Sequence, residues 1–439
     1  MRRTASPLRR RPYAGTVRGP QIEPPAMNAH MQIDPRFAPD GAYANLRLWI
    51  SLLAATLLAA GMWSIVVVMP KVQADFGVAR AAASMPYTIS MVGFALGAMI
   101  LGRWADRVGI VLPLAACAIM LGLGFVVASV APGIEIFTAA HLLIGLGSAV
   151  GFGPLIADIS HWFVKRLGLA VVVVASGNYV GGAIWPLVIN QTVPAYGWRT
   201  TYLAIGLLVA ATVLPLSLAL RRRPAEHTIE AATAANAAAQ ANLGVSTRTL
   251  MTLLSIAGVA CCVAMSMPQV HIVAYCSDLG YGVARGAEML SLMLFLGIFS
   301  RVASGYVSDR IGGAKTLLIG SVMQGVALLL YLFFNGLTSL YIVSGIFGLF
   351  QGGIVPMYAV ICRELLPPRE AGARIGVLVT ATIVGMAFGG YFSGLIFDWT
   401  GSYRMAFLNG VLWNAVNVSI VGWLVWKQGR QGRVASATA

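Results

Sequence analysis

Residues 102–109, Gly102-Arg-Trp-Ala-Asp106-Arg107-Val-Gly109, return 203 positions later as residues 305–312, Gly305-Tyr-Val-Ser-Asp309-Arg310-Ile-Gly312. A second pattern fixes the same register: Gly168, Gly177, Gly181 and Gly182 recur with identical spacing as Gly376, Gly385, Gly389 and Gly390, offset by 208. Two patterns in the same order at nearly the same offset identify an internal duplication, and such a duplication sets the architecture before any local reading. Around them the apolar residues fall in blocks near 47–69, 84–104, 110–131, 134–157, 168–190 and 200–220, then 249–275, 286–307, 314–334, 338–362, 373–396 and 404–426. Each block has roughly the ~20 residues a helix needs to cross a ~30 Å hydrocarbon core. The expected fold is an all-α membrane protein of 12 transmembrane helices in two pseudo-symmetric six-helix bundles.

Composition agrees. Of 439 residues, 58% are hydrophobic and 10% charged, against ~45–50% and ~25% in soluble domains, and mean hydropathy is +0.79. A soluble globular protein is excluded. The net charge of +15 would point to nucleic acid in a soluble chain; here it marks loops facing anionic lipid, and no nucleic-acid partner is expected. The five cysteines are scattered, without a C-x-x-C pair, so neither a zinc site nor a disulfide framework is supported.

The organisation expected is a disordered basic tail (1–46), an N-terminal six-helix bundle (47–220), a linker (221–248), a C-terminal six-helix bundle (249–426) and a short tail (427–439). Counting Lys and Arg in alternate connections gives thirteen on one side (Arg103, Arg107, Lys165, Arg166, Arg221, Arg222, Arg223, Arg248, Arg310, Lys315, Arg363, Arg369, Arg374) and five on the other (Lys71, Arg80, Arg199, Arg285, Arg404). Cytoplasmic loops retain positive charge, so both termini and the linker are expected in the cytoplasm.

Twelve spans in two halves, with G-x-x-x-D-R-x-G after the second span of each half, resemble the major facilitator superfamily. The resemblance implies that Gly102, Asp106, Arg107, Gly305, Asp309 and Arg310 form conformational gates rather than substrate ligands. A second likeness is more specific. Trp162-Phe163-Val-Lys165-Arg166, Ser176-Gly177, Pro186 and Tyr196-Gly197-Trp198-Arg199-x-x-Tyr202 resemble the bacterial monocarboxylate-transporter and oxalate/formate-exchanger group. That resemblance implies carboxylate-binding roles for Lys71, after Pro70, and for Arg301 in the eighth span. The Asp that the group carries one turn before its buried arginine is here Gly297.

Physics supports Arg301 independently: a guanidinium inside an apolar run costs at least ~2.5–3.5 kcal/mol and normally faces a wet cavity or an anion, and its planar fork suits a carboxylate. The alternatives are snorkelling for Arg301 and an interfacial anchor for Lys71. His141 and His271 fall on spans that the resemblance places around the central cavity, each with a satisfied core histidine as the rival reading. Gln269, Asn178, Tyr179, Trp185, Gln351 and Tyr358 complete the candidate substrate-binding set. The Gly177-Asn178-x-x-Gly181-Gly182 run is read as helix packing, and Asn409, Asn414 and Asn417 as bonding within the bundle.

The function expected is secondary active transport, as a symporter or antiporter of the cell inner membrane working by alternating access. The solute is a small organic anion, best a monocarboxylate, moved with protons or a counter-transported anion. An aromatic vitamin or other larger nutrient, stacked on Trp185, Tyr179 and Tyr358, is the alternative; a non-transporting membrane sensor is the third. The sequence lacks a nucleotide-binding loop, an H-E-x-x-H pair and a nucleophile elbow, so no enzyme, cofactor or metal is expected. A functional monomer embedded in membrane lipids is implied by the resemblance.

Overall fold

Without water in the hydrocarbon core, every backbone N–H must be satisfied inside its own segment, and apolar stretches of this length therefore become helices. The computed structural model describes residues 40–163, 166–222, 246–365 and 368–438. Among these, eleven helical stretches are long and apolar enough to span a membrane. One of them, Leu169–Ala219, has 51 residues, about 75 Å of helix at ~1.5 Å per residue, more than twice the membrane core. It turns at Gly197, whose φ of 79° is left-handed and open to glycine at no steric cost. The stretch is two spans, and the expected twelve are all present.

In chain order the spans are α1 (Ala42–Phe76), α2 (Arg80–Val108), α3 (Val111–Ser129), α4 (Ile134–Ser160), α5 (169–196), α6 (198–219), α7 (Thr247–Asp278), α8 (Gly282–Ile311), α9 (Gly313–Phe333), α10 (Leu337–Cys362), α11 (Arg374–Thr400) and α12 (Tyr403–Thr438). Connections within each half are short, so successive helices alternate in direction. We call the end that carries the chain termini the near end and the opposite one the far end.

The repeated patterns build repeated geometry. α2 ends on Gly109 (φ 86°) and α8 on Gly312 (φ 87°), whose N–H groups close onto Ala105 O (2.8 Å) and Ser308 O (2.9 Å). A side chain at either glycine would be strained, which explains why the motif ends as it does in both copies. The second pattern packs helices. Added side chains at Gly177 and Gly181 would strike Ala55 and Ala59 of α1, and at Gly385 and Gly389 the α7 backbone at Val259 and Val263. Gly182 and Gly390 face the opposite half, against Leu294 and Tyr87 respectively. Small residues at these spacings let helices approach closely.

The halves meet along two seams, α2 with α11 and α5 with α8, and α1 also touches α7. α1 begins five residues before the block at 47, so residues 42–46 of the expected tail are helical, and Arg47 anchors this end: its Nε and Nη2 pair with Asp158 (2.8 and 2.6 Å) and its Nη1 donates to Leu220 O (2.9 Å). α12 runs on through residues 427–438, assigned above to a tail. Residues 1–39 of the expected N-terminal tail, Lys165 and residues 223–245 of the expected linker lie outside the described residues. Ser246 opens α7 by accepting from Thr249 N–H (3.1 Å), an ordinary N-cap.

Candidate functional site

Three arginines are buried among the described residues: Arg47 (1% exposed), Arg80 (6%) and Arg301 (6%). A buried charge is costly unless it is paired, and removing its partner costs more still. Arg47 has Asp158 and Arg80 has Asp278. Arg301 has no carboxylate among the described residues. Its Nε donates to Gly352 O on α10 (3.2 Å), and its Nη1 to Ala175 O on α5 (2.8 Å). Its guanidinium carbon lies 4.3 Å from the ring centre of Tyr179 and 5.8 Å from that of Phe152. Cation–π contacts of this kind offset about 0.5–2 kcal/mol and leave the full positive charge in place. Arg301 thus spans the α5/α8 seam, bonded to both halves and neutralised by neither. Snorkelling to a headgroup is excluded in this arrangement.

Gly297 explains how this is possible. A side chain there would begin 2.4 Å from the Tyr179 ring, and one at Gly352 would meet the Gly297 carbonyl at 2.1 Å. The position that carries an acid in the group this chain resembles is bare, and Tyr179 fills the space. The same bareness lets α8 and α10 approach until Gly352 O reaches Arg301. On the first-half side, a cavity of about 10 Å³ is lined by Met62, Phe94, Ser148, Phe152 and Asn178, room for about one water. Phe152 is common to the cavity and to Arg301.

The remaining candidates divide. Asn178 lines the cavity, and its side-chain oxygen and carbonyl accept from Trp63 Nε1 (3.1 and 3.2 Å). Gln351, next to Gly352, accepts from Gln269, and its own Nε2 is buried without a partner. Trp185 donates to Thr56 O (2.9 Å), tying α5 to α1 within the first half. Tyr358 donates to Asn417 Oδ1 (2.8 Å), and Asn417 and Asn414 bond Ser321, so these hold α9, α10 and α12 together. An aromatic wall of Trp185, Tyr179 and Tyr358 is therefore not assembled; only Tyr179 is beside Arg301.

His141 sits in the core of the first half, 2.7 Å from Phe137 O and packed on Phe137 and Tyr202. The structure does not bring it to Arg301. Lys71 is exposed at the far end of α1 and pairs with Asp75 (3.7 Å), also away from Arg301. His271 is fully buried, 3.0 Å from Tyr403 Oη and 2.7 Å from Gly390 O; it belongs to the far end of the α2/α11 seam. Asp106, Arg107, Asp309 and Arg310 are exposed at the near end. Arg310 lies over Tyr306 and bonds its hydroxyl, while Asp106 and Asp309 make no hydrogen bond or ion pair with a described residue.

Sequence reading missed Arg80, Asp278, Asp398 and Tyr403, which join the halves at the far end. It also missed Phe152. The loop count includes Arg80 among the far-side charges; its place at the first residue of a span is the available signal.

Residues 51–313 and 289–438 match the family model described as the Major Facilitator Superfamily. The chain belongs to this superfamily. As a member it is a multi-pass membrane transporter of a small-molecule solute. Among the superfamily proteins it is similar to monocarboxylate transporter 13 of Bos taurus, 25% identical over 339 residues covering 74% of this chain and 75% of that protein. Monocarboxylate transporter 13 of Rattus norvegicus is 26% identical over 299 residues, covering 66% and 67%. The solved structure of a bacterial homolog to the human lysosomal transporter Spinster, inward-facing and occupied, shares the fold, with a TM-score of 0.65, 16% identity, and 88% of this chain and 96% of that chain covered. So does the nucleoside transporter NupG, with a TM-score of 0.68, 13% identity, and 88% and 99% covered.

Proposed function

We propose that the chain carries a small organic anion, a monocarboxylate, across a bacterial inner membrane by alternating access of its two halves. One observation carries the reading: of the three arginines buried among the described residues, Arg301 alone lacks an acid there. A carboxylate on the solute supplies the missing charge, and the fork of Arg301 receives it in bidentate form. Tyr179, Phe152 and the apolar cavity wall favour a solute whose remainder is apolar. The similarity to monocarboxylate transporters of two mammals supports the same class. Because Arg301 bonds a carbonyl in each half, an anion that draws it away loosens the α5/α8 seam, which links binding to movement.

In this reading both termini face the cytoplasm, Asp106 and Asp309 act as near-end gates, and the solute travels with a proton or against a second anion. Two experiments test it. In proteoliposomes, short monocarboxylates compete for transport and their amides, identical in shape and uncharged, do not; equal competition by the amides contradicts the anion reading. Labelling of an introduced Ala235→Cys from outside intact cells is expected to fail, and efficient labelling contradicts the orientation.

A further inference from the structure

At the far end, Arg80 opens α2 and is held entirely by the other half. Its Nη2 lies 3.0 and 3.1 Å from the two carboxylate oxygens of Asp278, and its Nη1 donates to Tyr403 Oη (3.1 Å). Its backbone N–H and that of Ala81 donate to the two oxygens of Asp398 (2.9 and 2.7 Å), so Asp398 of α11 caps α2 across the seam. Phe397 lies under the guanidinium, 4.8 Å from ring centre to carbon. The duplication does not produce this arrangement twice. The 203 offset takes Arg80 to Val283, and the 208 offset takes Asp398 back to Asn190.

Tyr403 connects this closure to His271. Gly390 O, 2.7 Å from His271 Nε2, can only accept, so Nε2 carries the hydrogen. In the neutral ring Nδ1 is then bare and accepts the hydroxyl of Tyr403 at 3.0 Å. Donation runs in one direction without a break: Arg80 to Tyr403, Tyr403 to His271, His271 to Gly390. With a proton on Nδ1, Tyr403 can no longer donate to the ring: its hydroxyl has to turn away and accept from His271 as well as from Arg80, which sets two cations against one buried oxygen and reverses the chain at its centre. The groups facing this point from the packed elements are Arg80 of α2, Asp398 of α11, Tyr403 of α12, and Asp278 and Tyr275 of α7 itself. Asp278 is bonded to Arg80 and Asp398 to the first N–H groups of α2, and His271 bonds only Tyr403 and Gly390 among the described residues.

We propose that Arg80, Tyr403 and His271 form a proton-sensitive lock on the far end: the halves close there with His271 neutral, and a proton on Nδ1, taken from water when the seam opens, holds it open. The proton returns to water on reclosure. The proposal does not depend on which solute is carried. It assigns a role to His271 that the Arg301 site does not use.

The test is a distance measurement by double electron–electron resonance in the full chain in lipid nanodiscs. Labels are placed at Ala79→Cys and Trp399→Cys, both exposed, one on each side of the seam; the five native cysteines are buried. Between about pH 8 and about pH 5, the range in which histidine changes charge, the separated population is expected to rise at least about threefold. His271→Gln keeps a donor for Gly390 and an acceptor for Tyr403 and takes no proton; it is expected to stay closed at both pH values. Tyr403→Phe removes the link while keeping His271, and is expected to be open at both. A parent-like pH response in His271→Gln, or none in the parent, overturns the lock. Should His271→Gln fail to reach the membrane, Tyr403→Phe decides: loss of the response supports the lock, and a retained response overturns it.

Discussion

At the α2/α11 seam a buried arginine meets two acids of the opposite half; at the α5/α8 seam a buried arginine meets two carbonyls and two rings. Arg80 and Arg301 are equally buried, at 6% exposure each, yet their surroundings call for different partners. Where Asp278 pairs with the Arg80 guanidinium and Asp398 caps its backbone, the protein closes the seam with its own charges. Where Gly297 and Tyr179 stand beside Arg301, no acid among the described residues balances the charge, and in the proposed reading the solute supplies it. One seam is closed by the protein's own charges, and the other is the proposed receptor.

The largest effect is expected from breaking the closure. Removing one partner of a buried ion pair costs roughly 3–5 kcal/mol; Asp278 is 33% exposed, which places Asp278→Asn at about 3 kcal/mol or below, on the order of a hundredfold shift toward an open far end. The separation of spin labels at positions 79 and 399 reads it, and an unchanged separation would mean that Asp398 alone closes the seam. Next comes making the receptor seam resemble the closure. Gly297→Asp combined with Tyr179→Ala, which makes room for the new side chain, gives Arg301 an acid of its own. Anion affinity is expected to fall by about ten- to a hundredfold, the worth of a charge-assisted bond, and undiminished affinity would show that the charge at Arg301 is not what the solute uses.

Much of the fold was open to reading in the sequence because its determinants are local. Block length gives the spans, and the terminal glycines at 109 and 312 are demanded by a backbone angle. Arg301 was visible for the same reason, as a charge inside an apolar run. Arg80 was not. Its partners arrive from 198, 318 and 323 residues away, and a cation at the first position of a span looks like any interfacial residue. His271 was visible as a polar group in a span, but its role depends on which atoms face its two nitrogens. Lys71 shows the opposite error: the Pro70-Lys71 likeness drew it into the site, while the helix turns it outward to Asp75.

Smaller effects sharpen the same contrast at its margins. Asp106→Asn and Asp309→Asn, at the near ends of α2 and α8, are expected to change maximal transport rate by a few-fold, on the order of 1 kcal/mol, with little change in half-saturating concentration. A pure loss of affinity at unchanged rate would contradict a gating role. Lys71→Gln removes only an exposed i,i+4 pair worth about 0.3–0.5 kcal/mol, and half-saturation is expected to stay within about twofold. A tenfold loss would return Lys71 to the solute's path.

The central claim is that the solute's carboxylate completes Arg301. Equilibrium binding of a labelled monocarboxylate to purified parent, Arg301→Lys and Arg301→Ala proteins measures it most directly. Arg301→Ala is expected to bind at least about tenfold more weakly, from the loss of roughly 1.5–3 kcal/mol of charge-assisted hydrogen bonding. Arg301→Lys, which keeps the charge and loses the fork, is expected to fall between the two. Parent-like binding in Arg301→Ala would contradict the account.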